Sequence, residues 1–466
     1  MKQPFVLLVN PYIYDFAAYN YWSKPLGLLY IGGILRKNKI EVLLIDCMEE
    51  DKRKKKEDGR SPYVKEKVKK PDALKEIKRP LRRYGISPKR LVAALKEIPN
   101  PDMIFVSSSM TYWYLGTKEV VHILKEIYPS IPIVVGGIYP SLCWEHAQRT
   151  LNGADLIVSK EKINTIYTYL EERLNIKFSF KPHLEDLNSL PLPAFDLYES
   201  VDFVPLLTSL GCVFRCTYCA TNYLYPKMKR MKPKKVLEEI SYWVSFGVRR
   251  FVLYDDCFLA DKDNHAVPIL RGIATFKEKV EIYNPNALNA VFIDDEVASL
   301  LSEAGFMEVR LGLESLNPFT QINTGGKVDT QGLRKAVSHL MAAGFKGKDI
   351  HIYLLAGLPN QRWEEVKESI DFVLDLGCTP HIAEYAPCPK TEMFEKNKRI
   401  ARFPIDEEPL FHNNTLMPFA WSGFTEDDLQ YLKSYLRQNI QRLSQDLTQR
   451  VPHKCLKEQL TQTFET

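Results

Sequence analysis

Phe203-Val204-Pro205-Leu206-Leu207-Thr208-Ser209-Leu210-Gly211-Cys212-Val213-Phe214-Arg215-Cys216-Thr217-Tyr218-Cys219-Ala220 is the stretch on which the fold turns. Phe203 to Ser209 is an apolar run of the length of a buried strand, and three cysteines follow it in a CxxxCxxC spacing on a loop opened by Gly211. Three thiolates on one short loop can hold three corners of an iron–sulfur cube. Complete electron-transfer clusters take four cysteines, so a trio leaves one iron open to a substrate. A zinc knuckle would use paired CxxC units with a fourth Cys or His nearby, and the sequence has no second pair. A loop at the carboxyl end of a parallel strand is also where α/β barrels and open sheets carry their chemistry.

Around this stretch, 466 residues suffice for two or three domains, and 45% hydrophobic with 26% charged residues is an ordinary globular balance. The chain has no run of eighteen apolar residues, and Met1 to Asn10 lacks a signal peptide's basic start and cleavage site. The expectation is a cytoplasmic protein with no transmembrane segment. Cys47, Cys143, Cys257, Cys378, Cys388 and Cys455 are scattered, against a secreted disulfide framework.

Upstream, Phe5 to Val9, Glu41 to Ile45, Met103 to Val106, Ile133 to Val135 and Asp155 to Val158 read as buried parallel strands, with helical spacing at Gly27 to Asn38, about Thr117 to Ile127 and from about Ser141. Five such strands predict a doubly wound, Rossmann-like sheet over residues 1–175, with ligands beyond its carboxyl ends. Those ends carry Asn10-Pro11, Ser107-Ser108 and Gly136-Gly137. An insertion at 51–90 holds seventeen Lys or Arg and six Asp or Glu, a local +11 where the whole chain carries +5, so it reads as a basic surface loop open to nucleic acid or an anionic substrate. Arg82 to Ile86, mixing charge with an aromatic, could dock over a pocket.

Residues 176–202 form a linker in which Pro182, Pro191 and Pro193 prevent a long helix. Beyond it, strands are expected at Arg250 to Tyr254, Glu281 to Tyr283, Glu308 to Leu313, Ile350 to Leu355 and His381 to Tyr385, alternating with helices. With the cysteine strand they make six β/α units, a partial (β/α)6 TIM barrel over 203–395. Residues 396–466 read as a helical C-terminal region, amphipathic from Thr425 to Arg450 and covering the barrel's open side.

The cysteine spacing, with Tyr218 before the third cysteine, and the six-unit pattern resemble the radical S-adenosylmethionine (SAM) superfamily. Lys24-Pro25-Leu26-Gly27-Leu28-Leu29-Tyr30 and Gly136-Gly137 resemble the cobalamin-binding domain that precedes many of its barrels. The resemblance implies a [4Fe–4S] cluster on Cys212, Cys216 and Cys219, SAM bound at the open iron, and an electron donor such as flavodoxin or ferredoxin. It further implies that Asp255 or Asp256 receives SAM's amino group, with Asn289 as a weaker addition. Glu314 and Ser315 are implied to meet the ribose and the methionine end, Arg310 the carboxylate, and Tyr218 and Gly357 the adenine. Ser107, Ser108, Gly136 and Gly137 would face cobalamin. The implied reaction is reductive cleavage of SAM to a 5′-deoxyadenosyl radical and methylation of an unactivated carbon, with cobalamin delivering the methyl group.

The sequence departs from the family's pattern in several places. There is no Asp-x-His-x-x-Gly motif to supply a lower cobalt ligand, and the lone helical His146 reads as solvated. Ser159-Lys160-Glu161-Lys162 replaces the usual acidic, glycine-containing turn, Leu210 stands where arginine is common, and Pro387-Cys388-Pro389-Lys390-Thr391 stands for Pro-Gly-Thr. Cys257, Cys378 and Cys388 read as separate core residues, and Tyr254, His351, Tyr353, His381 and Tyr385 as packing with an option on proton transfer. Two other readings stay open: a cobalamin-free radical SAM rearrangement, cyclisation or oxidation, and a non-enzymatic metal-binding, nucleic-acid-binding module. The substrate is unknown.

Overall fold

The computed structural model describes residues 3–449. Five apolar runs become β1 (Phe5–Asn10), β2 (Glu41–Asp46), β3 (Met103–Ser108), β4 (Ile133–Gly137) and β5 (Leu156–Val158). They pair in parallel in the order β2-β1-β3-β4-β5. The runs are continuous because both faces are covered: Val6 and Leu8 enter one core, Leu7 and Val9 the other. The strand order reverses between β1 and β3, which opens a crevice at their carboxyl ends.

Six more strands follow as β6 (Val204–Leu206), β7 (Arg250–Leu253), β8 (Glu281–Tyr283), β9 (Val309–Glu314), β10 (Ile350–Ala356) and β11 (Thr379–Glu384). They form two parallel sheets, β8-β7-β6 and β9-β10-β11, and the parallel bridges Ile282 to Phe306 and Leu288 to Leu311 lie between them. Helices Pro233–Ser245, Ala266–Ala274, Asp295–Glu303, Thr330–Ala342 and Trp363–Asp375 cross from strand to strand. Asp294 and Asp329 start two of them by accepting the backbone N–H groups of Val297 and Gly332.

One expectation changes. The basic insertion is not a free loop: Arg82–Tyr84 pairs antiparallel with both Ile13–Asp15 and Lys65–Lys67. Its order comes from the burial of Ile13, Tyr63 and Tyr84 together and from the Arg83 to Glu66 ion pair. The C-terminal helix, Glu426–Gln449, packs on Trp363–Asp375, where Tyr435 donates to Asp371 at 2.6 Å, and reaches the last strand β11 through the Lys433 to Glu384 ion pair. Arg450, Cys455 and the remainder to Thr466 lie outside the described residues. Among the described residues no helix is long and apolar enough to cross a membrane.

Candidate active site

The cysteine loop leaves the carboxyl end of β6 through Gly211, whose φ of +87° suits glycine. A Cβ there would stand 3.2 Å from Met228 Cα and from the Tyr225 carbonyl. The Phe214 N–H points at Cys212 Sγ (3.4 Å), Cys219 N–H donates to the Cys216 carbonyl (3.1 Å), and the Cys219 thiol donates to Thr221 Oγ1 (3.2 Å). The three thiols thus share one short loop, with the Phe214 N–H aimed at one sulfur and a hydroxyl oxygen beside another. Among the described residues no three His, Cys, Asp or Glu side chains gather round a single point. A cube spreads its thiolates over separate irons, so the donor set and its dipoles fit a cluster.

Two cysteines that the sequence suggests are separate core residues flank this loop. Cys257 lies beside Cys212, and its thiol donates to Asn289 Oδ1 at 3.1 Å. Cys388 lies beside Cys219 and receives the Ala220 N–H. Cys378 is buried elsewhere, and burial pushes its thiol up to about 12. Burial raises Cys216 to about 11.

The carboxylates expected at SAM are already engaged. Asp255, raised to about 6 by burial, accepts from Thr208 Oγ1 (2.7 Å) and Ser209 Oγ (2.5 Å). Asp256 accepts from Gly211 N–H (3.3 Å) and Thr221 Oγ1 (3.2 Å), bracing the cysteine loop. Glu314, at φ +69°, forms an ion pair with half-buried Lys327, which also donates to Tyr218 OH at 3.4 Å. Burial works against the Lys327 charge, but Glu314 and the thiols of Cys216 and Cys219 outweigh it and raise its pKa. Tyr218 is raised by burial, with Glu314 adding to the shift. Ser315 Oγ accepts the Asn317 N–H (3.1 Å). Gly357, at φ +84°, borders open room, since a Cβ would meet only Met417 Cε at 3.9 Å.

Arg310 faces the other way, bonding Tyr353 OH (2.7 Å) and Glu308 (2.6 Å) near the amino ends of β9 to β11. His351 joins His381 (2.7 Å) and Glu308 (3.3 Å) in the same network. Burial alone would raise Glu308, yet the His351 hydrogen bond and Arg310 bring it down to about 2. Burial lowers His381 to about 4.

At the five-strand sheet's carboxyl edge, Ser107 Oγ donates to Asn10 Oδ1 (2.7 Å) and Thr117 Oγ1 to Ser108 Oγ (3.1 Å). Gly137, at φ +131°, passes so near β3 that a Cβ would stand 2.0 Å from the Ser108 carbonyl. Met110 and Ile138 are left partly bare at 44% and 43% exposure, an apolar lip beside polar strand ends, and this suits a flat macrocycle with amide arms. His146 is held by Tyr139 OH at 2.7 Å. The two sets of strands meet where the turn after β5 touches the segment beyond the third cysteine. There Lys160 Nζ donates to the Tyr223 carbonyl (3.1 Å) and Tyr223 OH to Glu161 (2.9 Å).

Lys327 is not among the residues that the sequence singles out. Its one signal is Thr324-Gly325-Gly326-Lys327, a glycine pair that lets the chain pass Cys216, because a Cβ on Gly325 would stand 2.9 Å from Cys216 Cα.

The family model of the radical SAM superfamily matches residues 206–373, and that of the B12 binding domain matches residues 80–167. An uncharacterized methyltransferase of Pyrococcus horikoshii is 23% identical over 74% of this chain and 77% of its own. An uncharacterized methyltransferase of Synechocystis is 30% identical over 63% of this chain and 56% of its own. Among solved structures, the radical SAM methyltransferase TsrM of Kitasatospora setae, with cobalamin and a [4Fe–4S] cluster bound, superposes with a TM-score of 0.61 at 15% identity, covering 88% of this chain and 85% of that one.

Proposed function

The chain belongs to the radical SAM superfamily and carries a B12-binding domain, and from this premise we propose that Cys212, Cys216 and Cys219 hold the [4Fe–4S] cluster of a cobalamin-dependent radical methyltransferase. The enzyme requires SAM, a reductant and a substrate. When bound, the cluster supplies the single electron that splits SAM, and cobalamin supplies the methyl group. The five-strand sheet is read as a doubly wound, Rossmann-like domain over 1–175 and the six strands as a partial (β/α)6 barrel over 203–395, with 176–202 the linker and 396–466 the C-terminal region. The observed strand orders support that division.

The residues take the following roles in this reading. Asp256 fixes the cysteine loop through Gly211 and Thr221, and Asp255 does so through Thr208 and Ser209. Glu314, steadied by Lys327, and Ser315 border SAM's polar end, while Tyr218 and Gly357 border its adenine. Arg310, committed to Glu308 and Tyr353, is left out of SAM binding. Ser107, Ser108, Gly136 and Gly137 face the corrin, and Met110 and Ile138 exclude water from it. The basic insertion is not asked to bind nucleic acid.

One observation carries the assignment: the Lys160 and Glu161 contacts to Tyr223 bring the carboxyl end of β5, the edge strand of the five-strand sheet, against the segment that follows the cysteine loop. Anaerobically reconstituted protein should contain about four irons per chain, and its reduced-cluster electron paramagnetic resonance spectrum should change when SAM is added. Cys212→Ala, Cys216→Ala and Cys219→Ala should each lose that spectrum and SAM cleavage. Protein loaded with cobalamin and given deuteromethyl-SAM should pass the label to an acceptor. A cluster spectrum indifferent to SAM would refute the reading, and cobalt-free protein of full activity would refute its cobalamin half.

A further inference from the structure

Three sulfurs gathered for one cluster concentrate negative charge, and a half-buried ammonium stands beside them. The Lys327 side chain is 16% exposed and paired with Glu314, and its Nζ donates to Tyr218 OH at 3.4 Å. Tyr218 itself stands between Cys216 and Cys219 in the loop. The chain that leads to Lys327 is fastened to the same loop. Thr217 Oγ1 donates to the Asn323 carbonyl (2.7 Å), Thr217 N–H donates to the Thr324 carbonyl (3.3 Å), and a Cβ on Gly325 would stand 2.9 Å from Cys216 Cα. On β9, Gly312 leaves room for the pair, since a Cβ there would stand 2.9 Å from Glu314 Oε1 and 3.0 Å from Lys327 Nζ. The ammonium is thereby held in one place between the cysteine loop and β9.

The ion pair does not present both its ends equally to the thiols. Burial raises the Cys216 thiol to about 11, and Lys327 opposes that rise by more than Glu314 adds to it. The Lys327 charge also reaches Cys212 and Cys219. Its positive end therefore faces sulfur, at a site where low exposure weakens screening by solvent and salt. A cluster on three thiolates gains one negative charge when it takes up an electron, and a cation fixed nearby favours the more negative state. We propose that the Lys327–Glu314 pair sets the reduction potential of the cluster, the ammonium raising it and the carboxylate holding that rise in check. One electron passes from the reductant to the cluster, no bond forms or breaks, and the fixed charges shift the equilibrium of that transfer. The proposal rests on the cluster reading above and deepens it, because it gives a residue outside the cysteine loop control over the electron on which SAM cleavage depends.

The full chain and its variants, reconstituted anaerobically and kept free of SAM, would be titrated with dithionite through redox mediators while the reduced cluster is quantified by electron paramagnetic resonance. Lys327→Met removes the cation and leaves the carboxylate, so it should shift the equilibrium against reduction by about tenfold or more, which is about 59 mV for one electron. Glu314→Gln leaves the cation uncompensated and should shift it the opposite way. Lys327→Arg keeps the charge and should stay near the unaltered value. A general loosening of the site would not give Lys327→Met and Glu314→Gln opposite signs. Equal potentials in Lys327→Met and the unaltered protein, or shifts of the same sign in Lys327→Met and Glu314→Gln, would overturn the proposal. So would failure of all three variants to take up iron, because the pair would then build the loop and not tune it. Unaltered protein that acquires no cluster would overturn the cluster reading itself, whereas a normal cluster with unmoved potentials would overturn this proposal alone.

Discussion

Glu314 and Lys327 show how a few side chains bear on the site. Glu314 sits at φ +69°, a conformation that costs a non-glycine residue on the order of 1–3 kcal/mol and persists only where its surroundings over-determine it. Here they do: the carboxylate meets a half-buried ammonium, and Gly312 is bare because a Cβ would come within 3.0 Å of both partners' polar atoms. Removing one member of a buried pair leaves the other charge without compensation, at a cost of about 3–5 kcal/mol, whereas removing both is far milder. Lys327→Met and Glu314→Gln should therefore each lower the melting temperature by several degrees, and the double variant should recover most of the loss. Additive losses in calorimetry would mean that the pair is not coupled. SAM affinity should stay low in all three if Glu314 borders SAM.

Among the elements, the helix Pro233–Ser245 turns a buried charge into a pH effect. Glu239 is enclosed in the apolar core, with one carboxylate oxygen lacking a hydrogen-bond partner, and burial raises its pKa to about 7. An unfolded glutamate titrates near pH 4.3, so between there and about 7 the native state holds the proton that the unfolded state has lost. Native stability consequently falls as pH rises through that window, and the penalty is complete above it. Glu239→Gln should melt higher than the unaltered protein at pH 8, with the gap closing towards pH 5. A gap that does not vary with pH would contradict the buried-charge account. The same helix pins the linker, since Lys235 Nζ donates to the carbonyls of Leu187 (2.8 Å), Asn188 (2.9 Å) and Leu190 (2.5 Å). Elements such as this were legible in the sequence because strand and helix periods are local, and the cysteine loop because its ligands lie seven positions apart at most. Lys327 beside Glu314, Cys257 beside Cys212 and Glu239 in its core were not, because contacts between distant segments leave no period to read.

At the scale of the whole molecule, Trp22 adds a joint to the core that the two sets of strands share. This side chain is fully buried, at φ +59°, in a cluster with Phe203, Val252 and Tyr283, so a residue from the segment between β1 and β2 lies against strands β7 and β8. Its ring lies 4.7 Å from that of Tyr283, and the Arg60 guanidinium covers it at 4.0 Å. Its Nε1–H reaches the Asp58 carbonyl at 2.8 Å, and Ser23 next to it lies 3.3 Å from Tyr254 OH. Three parts of the chain converge there: the N-terminal sheet's connection, the basic insertion and the second set of strands. The insertion's charge thus conceals a structural task, with Asp58 and Arg60 closing over an aromatic anchor while its lysines face water. Emptying the anchor's site should cost about 3–5 kcal/mol, and the loss should fall first on what the anchor alone retains. Trp22→Ala should therefore expose the lysine-rich stretch from 52 to 56 to trypsin at temperatures where the far-ultraviolet circular dichroism is still native, whereas Arg60→Ala, which strips one face of the ring, should do so to a smaller degree. Cleavage of that stretch only in step with global melting would show that Trp22 supports the common core and not the joint.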